Sequence, residues 1–116
     1  MPKAKSRRIH GIDVEHGGAN VYADLGFPDA VEMAVKSDLV RKIGEGVRDR
    51  GLTQVAAARI LGLTQPKLSG ILRGHFHGVS ERKLIDCLNR LGHDVEIVVK
   101  QPRKSGDGGK LTVMFG

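Results

Sequence analysis

Residues 50–74 carry four cationic side chains, Arg50, Arg59, Lys67 and Arg73, and no acidic residue. Between them stand short polar groups: Gln54, Thr64, Gln65 and Ser69. Cations, amides and hydroxyls in this mixture neutralise anions and donate to polar edges. Arg and Lys suit phosphate oxygens, and the Gln side chain can both donate to and accept from a base edge. DNA is densely anionic, so a face that docks on it should exclude carboxylates. The charge pattern of residues 50–74 meets that condition.

Other chemistry finds little support. Ser, His and Asp residues occur, but in no nucleophile elbow, and the glycines, most of them at caps and in the tails, make no phosphate loop. No catalytic activity is expected, and no cofactor. The run His75-Phe76-His77 has no Cys or carboxylate at ligand spacing, so it reads as a surface loop with Phe76 tucked beneath it, and no metal is assigned. Cys87 is the only cysteine, which leaves no internal disulfide and fits a reducing cytoplasm. It reads as a small core residue.

Composition narrows the partner class. The 116 residues amount to one domain, 40% apolar, with a net charge of +6 and a pI near 9.8. Nucleic acid or an anionic surface leads among the partner classes for so basic a chain. The aromatics are only Tyr22, Phe27, Phe76 and Phe115, too few for a base-stacking platform. No apolar run reaches membrane-spanning length, and the basic N-terminus MPKAKSRRIHGID lacks the apolar stretch of a secretory signal. A cytoplasmic protein is expected.

The elements that must hold the polar groups follow from periodicity. Ala30, Val31, Ala34 and Val35 recur at helical spacing after Pro28, and Leu39, Val40, Ile43 and Val47 do so from about Ser37. Spacing alone leaves open whether these are one helix or two. Thr53 is placed to cap the next helix, with Val55, Ala56, Ala58, Ile60 and Leu61 as its packing face and Gly62 as its stop. Thr64 caps another, with Pro66 in its first turn, Leu68, Ile71 and Leu72 buried, and Gly74 as the stop. Ser80 caps a last helix with a stripe of Leu84, Ile85, Leu88 and Leu91. Asp94 to Lys100 alternate as a strand should, and LTVMFG at the end offers a second short strand. A lone strand needs a partner, either the 111–115 stretch or the same strand from a second copy.

Two helices joined by a tight Gly62 turn make a helix-turn-helix, whose second helix enters the major groove N-terminus first. Gln65, Pro66, Lys67, Ser69, Gly70 and Arg73 face away from the apolar stripe there. Gln54 opens the first helix, where its side chain and the helix N-terminus can donate to a phosphate.

LTQVAAARILGLTQPKLSGILRG resembles the Xre/Cro-type helix-turn-helix through Leu52, Thr53, Gln54, Ala58, Gly62, Leu63, Thr64, Gln65, Leu68, Ser69, Ile71 and Gly74. YADLGFPDA, the QPKLSGILRG helix and the ending LGHDVEIVVK look like the HigA-like antitoxins of type II toxin–antitoxin modules. The resemblance covers residues 20 to 100. It implies an all-α, five-helix lambda-repressor-like domain with a C-terminal β-strand, dimerisation, and binding to a palindromic double-stranded operator. It also implies repression of the module's own operon and a HigB/RelE-type toxin as protein partner. By position it assigns DNA contact to Gln54, Thr64, Gln65, Pro66, Lys67, Ser69, Gly70 and Arg73. Pro66 and Gly70 depart from the family, since neither has a side-chain donor where a long polar residue is frequent. Direct readout then falls to Gln65 and Lys67 with Ser69 assisting, and Gly70 admits close backbone approach.

The expected organisation is a flexible basic arm at 1–20, the DNA-binding domain with its strand at 21–100, and a basic Gly-rich tail at 101–116. Two other roles stay open: a stand-alone Xre-type repressor without a toxin, and an interaction module that no longer binds DNA.

Overall fold

The computed structural model describes residues 14–15, 30–104, 106 and 108–116. They hold four helices: α1 Ala30–Asp49, α2 Gln54–Leu61, α3 Gln65–Leu72 and α4 Glu81–Arg90. They also hold two short strands, β1 Val14–Glu15 and β2 Leu111–Thr112. The chain divides into two compact units, Lys36–Glu96 and, separately, Met1–Val35 with Ile97–Gly116.

The first unit contains the helix-turn-helix. Val40, Ile43 and Val47 of α1 are buried, as are Ala57, Ala58 and Leu61 of α2, Leu68 and Ile71 of α3, and Leu84, Cys87 and Leu88 of α4. Small residues in α1 let large ones approach. A Cβ on Gly46 would lie 3.2 Å from Leu91 Cδ1, and one on Gly44 would lie 3.6 Å from Leu72 Cδ2. Phe76 is buried under the loop after α3, as the sequence suggests. Lys36 is also buried, and its Nζ donates to the carbonyl of His77 at 2.8 Å. That bond ties α1 to the same loop and satisfies an ammonium held away from water. Cys87 is buried too. Burial pushes its thiol above the ordinary value and outweighs the opposing influence of Lys83 and Arg90. It behaves as a core residue.

All four helices stop in the same way. The N–H of the residue after a positive-φ glycine bonds back to the carbonyl five residues earlier: Leu52 to Val47, Leu63 to Ala58, His75 to Gly70 and His93 to Leu88, all at 2.8–3.0 Å. These are Schellman closures. The three shorter helices start on hydroxyl caps, Thr53, Thr64 and Ser80.

Spacing left open one helix or two between Ala30 and Asp49, and some of the other expectations need correction. The two apolar stretches between Ala30 and Asp49 form one helix of 20 residues. No proline or glycine falls where the two stretches meet near Ser37, so nothing interrupts the hydrogen-bond ladder. The described residues therefore hold four helices where the resemblance implied five. In α2, Val55 is 57% exposed, and Ala57 holds the core position instead. Leu72 and Ile85 are half-buried at the edges of their stripes. The segment Asp94–Lys100 is not a strand. Its backbone makes no hydrogen bond to any described residue, and without such bonds no ladder forms.

In the second unit, β1 and β2 pair in parallel, Val14 with Leu111 and Glu15 with Thr112. Leu111–Thr112 is thus a strand, as the ending suggests, but its partner is β1 and not the 94–100 stretch. The arm expected at residues 1–20 lies outside the described residues apart from β1. The expected helix start at Pro28 lies outside them as well.

Candidate nucleic-acid interface

The N-terminal ends of α2 and α3 carry the proposed contact groups. Thr53 accepts a hydrogen bond on its Oγ1 from the N–H of Ala56 at 3.1 Å. Thr64 does the same for Lys67 at 3.2 Å. Each hydroxyl satisfies one of the N–H groups that a helix start leaves over, and the others remain available to an anion. Pro66 sits in the first turn of α3, where a missing N–H is harmless.

The turn between the helices sets their relation. Gly62 adopts φ 70°, ψ 32° and turns the chain within three residues. A Cβ there would meet the Arg90 guanidinium at 3.1 Å. Arg90 reaches from α4 and donates from Nη1 to the carbonyl of Ile60 at 3.3 Å. Its Nε donates to Asp86 Oδ2 at 2.9 Å, which holds the side chain in place. The cation thus lies at the negative end of the α2 dipole and caps a carbonyl there.

With the turn set, Gln54 and Gln65 become neighbours although eleven positions separate them. Gln65 Nε2 donates to Gln54 Oε1 at 2.8 Å. Each is the first residue of its helix. Gln54, Thr64, Pro66 and Lys67 are exposed beside them, and Gln65, Ser69 and Gly70 are half-buried. Arg73 is exposed at the far end of α3, about 12 Å along the axis from Gln65 at 1.5 Å per residue. The structure thus gathers Gln54, Thr64, Gln65, Pro66 and Lys67 into one cluster and leaves Arg73 at a distance.

Electrostatics favour an anion here. Helices α1 and α4 carry Glu32 and Glu81 in their first turns, whereas α2 and α3 carry no acid there. Their dipole ends are not neutralised from within the helix. The four cations of residues 50–74 do not all serve this face. Arg50 Nη1 donates to the carbonyl of Leu91 at 3.4 Å and so closes the end of α4. Arg59 is exposed in the last turn of α2, away from its N-terminus.

Two cations escaped the sequence reading. Arg90 holds the helix-turn-helix turn, and only its i, i+4 spacing from Asp86 hinted at an ordered side chain. Arg48 lines a groove of about 370 Å³ together with Val40, Val47, Leu52, Gln54 and Leu72. No local motif marks it.

Among the described residues, no three His, Cys, Asp or Glu side chains cluster as metal ligands. No helix among them is long and apolar enough to cross a membrane.

Residues 21–100 match the family model of a helix-turn-helix domain. A solved structure described as an Xre family transcriptional regulator is similar over 77% of this chain and 100% of its own, with 34% sequence identity and a TM-score of 0.71. No curated protein matches the sequence. The chain belongs to the helix-turn-helix domain family. Its helix-turn-helix is of the Xre type, the architecture of a DNA-binding regulator.

Proposed function

We propose that the protein binds a palindromic double-stranded operator as a homodimer, represses transcription from it, and serves as the antitoxin of a HigB/RelE-type toxin. The observation that carries the DNA reading is the Gln54–Gln65 pair, exposed between two acid-free helix starts.

In this reading α3 enters the major groove. Gln65 reads adenine and Lys67 guanine, each worth about 1–3 kcal/mol of discrimination when bidentate. Ser69 assists. Gln54 donates to a phosphate and, through its oxygen, orients Gln65. Thr64 presents the α3 N-terminus to the backbone. Pro66 faces the DNA without a donor, Gly70 lets the sugar-phosphate chain approach, and Arg73 neutralises a phosphate. Two copies would read half-sites roughly 34 Å apart.

The antitoxin role rests on the likeness of YADLGFPDA and LGHDVEIVVK to that group. A stand-alone repressor is the second reading, favoured by the solved relative, which is described only as a transcriptional regulator. Co-expression with the adjacent open reading frame separates the two. A small basic protein that co-purifies and loses its toxicity supports the antitoxin. Absence of any such partner, with retained binding to the upstream DNA in a gel shift, supports the repressor. Loss of the upstream DNA shift in the wild-type chain refutes both.

A further inference from the structure

Arg48 stands exposed on α1, and its guanidinium engages no described residue. Glu45, three residues before it, pairs with Lys42 at 3.5 Å. Arg48 borders the groove of about 370 Å³ that runs between α1, the start of α2 and the end of α3. The walls are aliphatic: Val40 and Val47 are buried, and Leu52 and Leu72 are half-buried. Gly44 keeps the space open. A Cβ there would lie 3.6 Å from Leu72 Cδ2 and 3.7 Å from Arg48 Nη1, so any longer side chain would grow between them.

The polar lining has one sign. No carboxylate lines the groove. Arg41 does, but it is bound to Asp38 Oδ1 at 3.1 Å, so the uncompensated charge is that of Arg48. Gln54 completes the rim. Its Oε1 accepts from Gln65, while its Nε2 engages no described residue. An aliphatic trough thus ends in one unpaired cation and one unused amide donor.

We infer that this groove is an effector site for a small aliphatic carboxylate, and that filling it opposes operator binding. The second half rests on the operator reading above.

The chemistry selects the ligand. An alkyl chain in the trough removes apolar wall from water. A carboxylate at its end accepts from both arms of the Arg48 guanidinium and from Gln54 Nε2, and charge-assisted bonds of this kind are the strong ones. An amine on the same chain meets Arg48 with like charge. The volume falls within the range of small-ligand sites, about 300–1,000 Å³. The antagonism follows from Gln54. In the operator complex its amide donates to a phosphate, and a carboxylate that takes this donor takes it from the DNA. The ligand also sets a negative charge beside an anionic backbone. Coupling is reciprocal, so the operator must weaken the ligand by the same factor.

The test uses octanoate on the nitrogen-labelled full-length chain. Amide signals of Gly44, Arg48, Leu52, Gln54 and Leu72 should move together. Octylammonium should leave them in place, and acetate, which lacks the chain, should bind far more weakly. Arg48→Gln should weaken octanoate by roughly tenfold or more, as expected for the loss of a charged partner. Gly44→Leu should abolish binding by filling the trough, and it should melt no lower than wild type, since leucine is the better helix former. In a gel shift, octanoate should weaken upstream DNA binding by the wild type and leave Gly44→Leu unaffected.

Equal shifts with octanoate and octylammonium, or none in the groove, overturn the site. Groove signals that move only when DNA or a co-purified protein is added would assign the groove to that partner instead. Binding of octanoate with no effect on the DNA shift overturns the antagonism. Failure of the DNA reading looks different: the wild type shifts no upstream DNA while octanoate still moves the groove signals.

Discussion

Gln65 Nε2 donates to Gln54 Oε1 at 2.8 Å, joining the first residue of α3 to the first residue of α2. One side chain thereby holds the other in a single orientation at the mouth of the helix pair. A Gln that reads a base benefits from such support, since fewer rotamers are lost on binding.

The two amides should therefore act as a unit. Gln54→Ala and Gln65→Ala should each weaken operator binding, and the double variant should lose less than the sum. A coupling of about 0.5–3 kcal/mol is expected for groups in one network. A double-mutant cycle on operator affinity measures it. Strict additivity would mean that the pair has no part in binding.

Gly62→Ala tests the turn. Its left-handed φ of 70° strains any other residue by about 1–2 kcal/mol, and the new methyl would press on Arg90 at 3.1 Å. Urea unfolding should show a loss of at least that size. Arg90→Ala should cost less in this background than in the wild type, because the added methyl already weakens the contact that Arg90 makes with the turn.

Gly70→Ala separates stability from recognition. The added Cβ would meet only His75 Cβ, at an ordinary 3.8 Å. Alanine is the better helix former by about 1 kcal/mol, so the melting temperature should rise. Operator affinity should fall if α3 lies close against the DNA backbone there. Unchanged affinity would remove Gly70 from the interface.

Lys67→Ala and Arg73→Ala test the charges. Each should weaken DNA binding and lower the slope of log affinity against log salt by about one. The Lys67 change should also relax base preference, whereas Arg73→Ala should weaken all sequences alike. Unchanged affinity and slope in both variants would move the docking face elsewhere.

Residues 55 and 57 test the packing of α2. Val55→Ala should alter stability by no more than about 0.5 kcal/mol, since that side chain is mostly in water. Ala57→Leu should cost about 1–3 kcal/mol by overfilling a buried site. Thermal unfolding of the two variants gives the comparison.

Much of this molecule is set locally, and the sequence by itself determined those parts. Thr53, Thr64 and Ser80 cap helices because a hydroxyl reaches an N–H three residues on, whatever lies elsewhere. Gly51, Gly62, Gly74 and Gly92 end helices because they alone take a positive φ cheaply. The helix-turn-helix was legible for that reason, and so was the set of polar residues at the start of α3. Other features were decided only by the tertiary structure. Val55 and Ala57 both fit a helix, and which one turns inward depends on the side chains of α3 and α4. Arg50 and Arg90 look like ordinary surface cations until the ends of α4 and α2 arrive beside them. Lys36 is buried on α1 because a carbonyl from position 77 comes to meet it. The segment 94–100 has the alternation of a strand yet forms no ladder with the described residues, since a strand is completed by hydrogen bonds to another chain segment and periodicity supplies only one side of the pair.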